Sequence, residues 1–213
     1  MPESSGVFAA VVGPSGAGKD SLISFARSEL ADDPRFVFVR RVVTRRSDAA
    51  LEDHDSLPPE AFDRRAQEGG FALFWRAHDL SYGLPACIHQ DLAEGRIVVA
   101  NLSRKSIGEA RVVFPECRIL SVTAPVEVLR ARLMARGRES AADVEARLNR
   151  PKVSLTGLGV IEIENAGTLA DAGGRFVEAL LRLAGEGERQ PVRSGPAHLS
   201  HTARAGSAPQ DAD

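Results

Sequence analysis

Six apolar residues, Val7–Val12, run straight into Gly13-Pro14-Ser15-Gly16-Ala17-Gly18-Lys19, and a stretch with helical periodicity begins at that lysine. A buried-type strand, a glycine-rich turn and a helix in immediate succession leave few folds open. The glycines let backbone N–H groups converge on a phosphate, and the helix N-terminus adds positive potential there. A lysine at the position of Lys19 reaches β- and γ-phosphates and neutralises charge that develops during transfer. The nucleotide-binding candidates are therefore Gly13, Pro14, Ser15, Gly16, Ala17, Gly18, Lys19, Asp20 and Ser21.

Strand and helix signals keep alternating downstream. Phe36–Val43 reads as a strand, and Pro59–Gln67 as a short helix with an early proline, where the missing N–H costs nothing. Pro85–Glu94 reads as a helix stopped by Gly95. Ile97–Leu102 is a strand, Ser103–Val112 a helix, Arg118–Thr123 a strand and Pro125–Ala135 a helix ending before Gly137. Ala141–Asn149 is helical, Val160–Asn165 a last strand and Leu169–Ala184 a last helix. Such units need right-handed crossovers and produce a mostly parallel sheet covered on both faces. The expected fold is α/β, a P-loop NTPase with a parallel sheet flanked by helices. Residues 44–84 break the rhythm: they are polar, loop-rich and carry weak strand signals. They read as an insertion on the carboxyl side of the sheet, where α/β proteins bind ligands.

The 213 residues bear a formal charge of −2, which gives no footprint for a nucleic-acid partner. The folded unit is expected over residues 5–184. Gly185–Asp213 has no aromatic residue and only Val192 and Leu199 as large aliphatics, so it is expected to be a disordered tail. The tail histidines His198 and His201 read as solvated. No apolar run approaches the roughly 20 residues of a membrane span, and the first residues lack a basic leader region. A cytoplasmic setting without a membrane partner is the expectation. Cys87 and Cys117 are too few for a disulfide framework or a four-thiolate zinc site and read as core thiols.

One position departs from the usual phosphate loop. The residue after the lysine is ordinarily Ser or Thr, whose hydroxyl binds Mg²⁺. Here it is Asp20, followed by Ser21. Asp20 offers a hard oxygen to Mg²⁺, Ser21 offers a hydroxyl, and a first-turn acid is also favoured by the helix dipole alone.

Gly-Pro-Ser-Gly-Ala-Gly-Lys resembles the phosphate loop of guanylate kinase-like proteins. Gly-Lys-Asp-Ser resembles one branch of that group, the ribose 1,5-bisphosphate phosphokinases of phosphonate breakdown. Val43-Thr44-Arg45, Glu52-Asp53-His54 with Phe62 beyond it, Trp75-Arg76-Ala77-His78, Tyr82-Gly83 and Asn101-Leu102-Ser103-Arg104 resemble further elements of that branch. The resemblance spans about residues 7–184. It implies a nucleoside-monophosphate-kinase architecture with the acceptor-binding insertion at 44–84 and a mobile lid at about 132–150. The implied reaction is ATP-dependent phosphorylation of ribose 1,5-bisphosphate to 5-phospho-α-D-ribose 1-diphosphate (PRPP), with ATP and Mg²⁺ as cofactors.

The nucleophile in that reaction is an acceptor phosphate oxygen, already ionised, so positioning and charge neutralisation suffice. The resemblance assigns Arg132, Arg136 and Arg147 to a lid that clamps ATP, a role suited to the planar guanidinium fork. Thr44, Arg45 and Tyr82 would hold the acceptor phosphate, and Glu52 and His54 its ribose hydroxyls. Arg41, Arg46, Arg76 and His78 are further cationic candidates for a second phosphate. Asn101 ends its strand where kinases of this group often carry an acid, and Asp20 would then have moved a negative charge from one side of the metal site to the other. The rivals are a guanylate or other nucleoside monophosphate kinase and a non-catalytic binding module. Residues 68–82 lack a visible guanine-reading pattern, and the intact Gly18-Lys19 argues against the module.

Overall fold

The computed structural model describes residues 6–44, 54–77, 79–137, 140–148, 155 and 159–187. Its centre is β1 (Val7–Val12), buried along its whole length. β1 pairs in parallel with β7 (Ile97–Asn101) on one side and β8 (Cys117–Thr123) on the other. β2 (Phe36–Phe38) and β9 (Val160–Glu164) complete a five-stranded parallel sheet of order β2-β7-β1-β8-β9.

Because strand side chains alternate faces, β1 serves two cores. Val7, Ala9 and Val11 pack with Leu22 and Ile23 of α1 (Lys19–Glu29) and with Phe176, Leu180 and Leu183 of α7 (Leu169–Gly187). Phe8, Ala10 and Val12 pack on the other face with Ile88 of α3 (Ile88–Ala93) and with Ile107, Ala110 and Phe114 in and after α4 (Ile107–Val113). Phe8 and Phe114 stack with ring centroids 4.0 Å apart. α1 and α7 approach closely at Gly173, where a Cβ would lie 2.5 Å from the Phe25 ring.

The expected strand 36–43 is two strands in two sheets. β2 belongs to the parallel sheet, and β3 (Arg41–Val43) begins a second one. Val39 still donates to the Val99 carbonyl at 2.9 Å, and the chain leaves the parallel sheet after it. The second sheet has the order β4-β3-β6-β5, with β4 (His54–Ser56), β5 (Phe71–Ala77) and β6 (Leu80–Pro85). Its long hairpin is better formed than the weak strand signals of 44–84 suggest, because cross-strand partners such as Trp75 and Tyr82 stabilise each other. α2 (Pro59–Gln67) covers this sheet, with Phe62 stacked on Phe71 at 4.6 Å.

Three helix boundaries also differ. Pro85 closes β6, so α3 begins at Ile88 rather than at Pro85. A 3₁₀ turn, Arg104–Ser106, precedes α4, so Ser103 caps the turn rather than starting an α-helix. α7 runs to Gly187, past the expected end at Ala184. α5 (Val126–Ala135) and α6 (Ala141–Leu148) lie close to their expected limits. Residues 188–213, most of the expected tail with His198 and His201, lie outside the described residues. No described helix is long and apolar enough to cross a membrane.

Phe176 is fully buried between α7 and the sheet. Phe176→Ala is expected to lower unfolding free energy by about 3–5 kcal/mol, measured by urea denaturation.

Candidate nucleotide and acceptor site

The loop after β1 turns through Gly13, Gly16 and Gly18, the last two with φ of +83° and +88°. Gly18 caps α1 without a side chain, so the first-turn N–H groups point into the loop uncapped. The Lys19 ammonium folds back and donates to the carbonyls of Gly13 and Pro14, both at 3.1 Å. Burial pushes its pKa from 10.5 down to about 8. Asp20 offsets part of this, and Arg41, Arg104 and Arg136 add to it. Cations from three separate elements thus gather around Lys19, beside one adjacent carboxylate.

That carboxylate is tethered. Asn101, buried at the end of β7, donates its amide to Asp20 Oδ1 at 2.6 Å. The two departures noted in the sequence are therefore in direct contact. An acid at 101 would face Asp20 with like charge, whereas the amide donates to it. Asp20 Oδ2 has no hydrogen bond among the described residues. The structure separates the two metal candidates: Asp20 faces Asn101 of β7 and Arg41, while Ser21 lines a cavity of about 340 Å³. Both are hard oxygen donors of the kind Mg²⁺ accepts, so the donor set fits that ion.

Arg132, Arg136, Asn165 and Leu169 also line the cavity. Asn165, directly after β9, is buried and fixed by its backbone N–H to the Thr123 carbonyl at 2.7 Å. Its side-chain amide donates to the Ala17 carbonyl at 2.8 Å, and its side-chain oxygen accepts from Arg132 at 3.4 Å. The same amide nitrogen would lie 2.3 Å from a Cβ on Gly18, so the position has no room for a side chain. Arg132 Nη1 is buried without a hydrogen-bond partner among the described residues, which leaves a desolvated donor for an anion at the cavity. Arg136, at the C-cap of α5, is exposed. Arg147 sits on α6, and its side chain lies outside the described residues. Arg130 and Glu145 join α5 to α6 at 2.5 Å.

The second sheet forms the other wall. Thr44 accepts from the Ser81 N–H through its hydroxyl at 2.9 Å and donates its own N–H to the Ser81 carbonyl at 3.1 Å. Tyr82 stacks on Trp75 at 5.5 Å, and the Arg41 guanidinium stands 5.7 Å from the Tyr82 ring centre. His54 is buried in β4, in register with Arg41. Arg76 points away and pairs with Asp63 at 3.5 Å, with 78% of its side chain exposed. Arg45, Arg46, Glu52 and His78 lie outside the described residues. Trp75 is buried in the core. Cys87 is not the core thiol expected: it is exposed, whereas Cys117 is buried, with burial pushing its pKa up to about 11.

No family model matches the chain. Individual relatives do. Ribose 1,5-bisphosphate phosphokinase PhnN of Brucella melitensis is 44% identical over 180 residues, covering 84% of this chain and 94% of the relative. The protein of the same name from Acidiphilium cryptum is 48% identical over 182 residues, covering 85% of this chain and 96% of the relative. The chain belongs to the ribose 1,5-bisphosphate phosphokinase family. It is an enzyme of the kinase class, with a nucleotide as substrate. The crystal structure of guanylate kinase from Anaplasma phagocytophilum aligns with a TM-score of 0.59 at 18% identity, over 85% of this chain and 88% of that one, and so shares the fold. The α/β P-loop kinase architecture expected from the phosphate loop is the one present, and in this family member the loop carries Asp20 tethered by Asn101.

A polyanion in the loop restores the ordinary preference of Lys19 for its charged form, so its pKa in the complex lies above the value of the free protein. Nucleotide binding is therefore expected to take up about half a proton near pH 8. Calorimetry in two buffers of different ionisation enthalpy checks this, and Lys19→Met should abolish most of the uptake.

Proposed function

We propose that this protein transfers the γ-phosphoryl group of ATP to α-D-ribose 1,5-bisphosphate, giving PRPP and ADP. The carrying observation is the identity of 44% across 94% of the Brucella relative's length. The geometry supports it: a buried lysine, a tethered carboxylate and an acceptor wall converge on one point.

In this reading an oxygen of the acceptor's 1-phosphate attacks the γ-phosphorus. The bond from that phosphorus to the β,γ-bridging oxygen breaks, and ADP leaves with its electron pair. The accepting phosphate is already ionised at neutral pH, so no side chain has to remove a proton. Lys19 leaves the carbonyls of Gly13 and Pro14 for the phosphates, and its short reach keeps it on the transferred group. Arg132, Arg136 and Arg147 approach the nucleotide from α5 and α6, the lid of about 132–150. Thr44, Arg45 and Tyr82 hold the acceptor phosphate, with Glu52 and His54 toward its ribose. Either Asp20 or Ser21 would hold Mg²⁺. That ion, when bound, offsets the negative charge moving onto the leaving group. Residues 5–184 form the kinase domain, continued to the end of α7. In this reading the enzyme serves phosphonate breakdown and takes a small-molecule acceptor, with neither nucleic acid nor membrane as partner.

A coupled ADP-release assay with ribose 1,5-bisphosphate against GMP tests the reading, and only the bisphosphate is expected to sustain turnover. Turnover with GMP alone refutes it. Lys19→Met should lower kcat by roughly 10²–10³. Asp20→Ala should shift the Mg²⁺ dependence of fluorescent nucleotide-analogue binding, and an unchanged Mg²⁺ response would remove Asp20 from the metal site.

A further inference from the structure

Arg41 stands where the two sheets face each other. It belongs to β3 of the second sheet, yet its guanidinium lies 4.0 Å from Asp20 Oδ1 on the phosphate loop. On its own sheet it lies over Tyr82 at 5.7 Å. Only 17% of its side chain is exposed, against 78% for Arg76 of the same sheet, which pairs with Asp63. Its other neighbours add charge of the same sign: Arg41, Arg104 and Arg136 all act on the buried Lys19 ammonium.

What holds Arg41 is weak, and this matters for its role. At 4.0 Å the contact with Asp20 is beyond hydrogen-bond reach. Asn101 donates to Asp20 Oδ1 at 2.6 Å and holds the carboxylate on the loop, 4.0 Å from the guanidinium. Among the described residues the Arg41 guanidinium makes no hydrogen bond. All five of its N–H donors remain available in a place that two walls shield from water. A planar fork of donors so placed matches phosphate oxygens on both sides at once.

We propose that Arg41 is a catalytic residue of the phosphoryl transfer, bridging the accepting phosphate on the Thr44–Tyr82 wall and the phosphoryl group delivered by the Lys19 loop. This rests on the reading above that the acceptor is itself a phosphate. Two phosphates about to share an oxygen repel, and a cation between them lowers that repulsion most as the new bond forms. The effect therefore falls on kcat more than on ATP binding. Lysine at this position keeps the charge and loses the fork.

The test compares wild type, Arg41→Gln and Arg41→Lys. Arg41→Gln is expected to lower kcat for ribose 1,5-bisphosphate about 10²-fold or more, with the KM for ATP within about threefold of wild type. Arg41→Lys should fall between the two, and added guanidinium ion at millimolar concentration should restore part of the Arg41→Gln rate. A merely structural role would not respond to that ion. A kcat within about threefold of wild type for Arg41→Gln overturns the proposal, as does an equal loss in kcat/KM and in ATP affinity without guanidinium rescue. If Arg41→Gln does not fold by circular dichroism, Arg41→Lys decides, with wild-type kcat overturning the bridge. If the wild-type protein phosphorylates GMP and not the sugar bisphosphate, the function reading fails alone, and Arg41 is judged by the same ratio with GMP. Turnover of neither acceptor overturns both.

Discussion

Lys19 holds a half-buried positive charge, and the cations Arg41, Arg104 and Arg136 act on it. This is an unfavourable arrangement for the empty protein. Burial alone favours the neutral amine, and each neighbouring cation pushes the same way. Backbone carbonyls of Gly13 and Pro14 hold the ammonium, and Asp20 supplies the nearby negative charge. A polyphosphate supplies what is missing. The rest of the structure maintains that deficit: β1 is buried on both faces and carries the loop, and β3, the turn after β7 and the end of α5 bring in the other cations.

Asp20 and Asn101 show how the deficit is kept within bounds. A carboxylate directly after the lysine is unusual in a phosphate loop, and close to a triphosphate it repels. Tethering Oδ1 through an amide keeps the carboxylate at the edge of the loop and leaves Oδ2 for a hard cation. Arg41 stands 4.0 Å from that same oxygen, at the outer limit of an ion pair. Asn165 does comparable work on the opposite side, binding the Ala17 carbonyl and Arg132 with one side chain.

Much of this was legible in the residues. A strand, a glycine turn, a lysine and a helix define a phosphate loop through local geometry alone, so the loop and its flanking elements were readable. The alternation that marked the central sheet depends on period and burial, which a sequence also carries. Other features depend on what meets in space. Phe36–Val43 is uniformly strand-like, and nothing in it marks the change of sheet after Val39. Asn165 sits between Glu164 and Ala166 without a local signal for its two contacts across the fold. Arg40 and Arg41 are adjacent and chemically identical, yet one pairs with Asp55 and the other faces the loop. Cys87 lies between Ala86 and Ile88 and reads as apolar core, while the turn before α3 leaves it exposed.

In the proposed reaction one phosphate is transferred onto another at the junction of the two sheets. Phosphorus NMR of wild-type protein with ATP, Mg²⁺ and ribose 1,5-bisphosphate follows that bond directly. Two new coupled resonances of a diphosphate on carbon 1 are expected, growing in step with ADP while the 5-phosphate signal stays a monoester. Release of inorganic phosphate without a new coupled pair, or modification of the 5-phosphate, would contradict it.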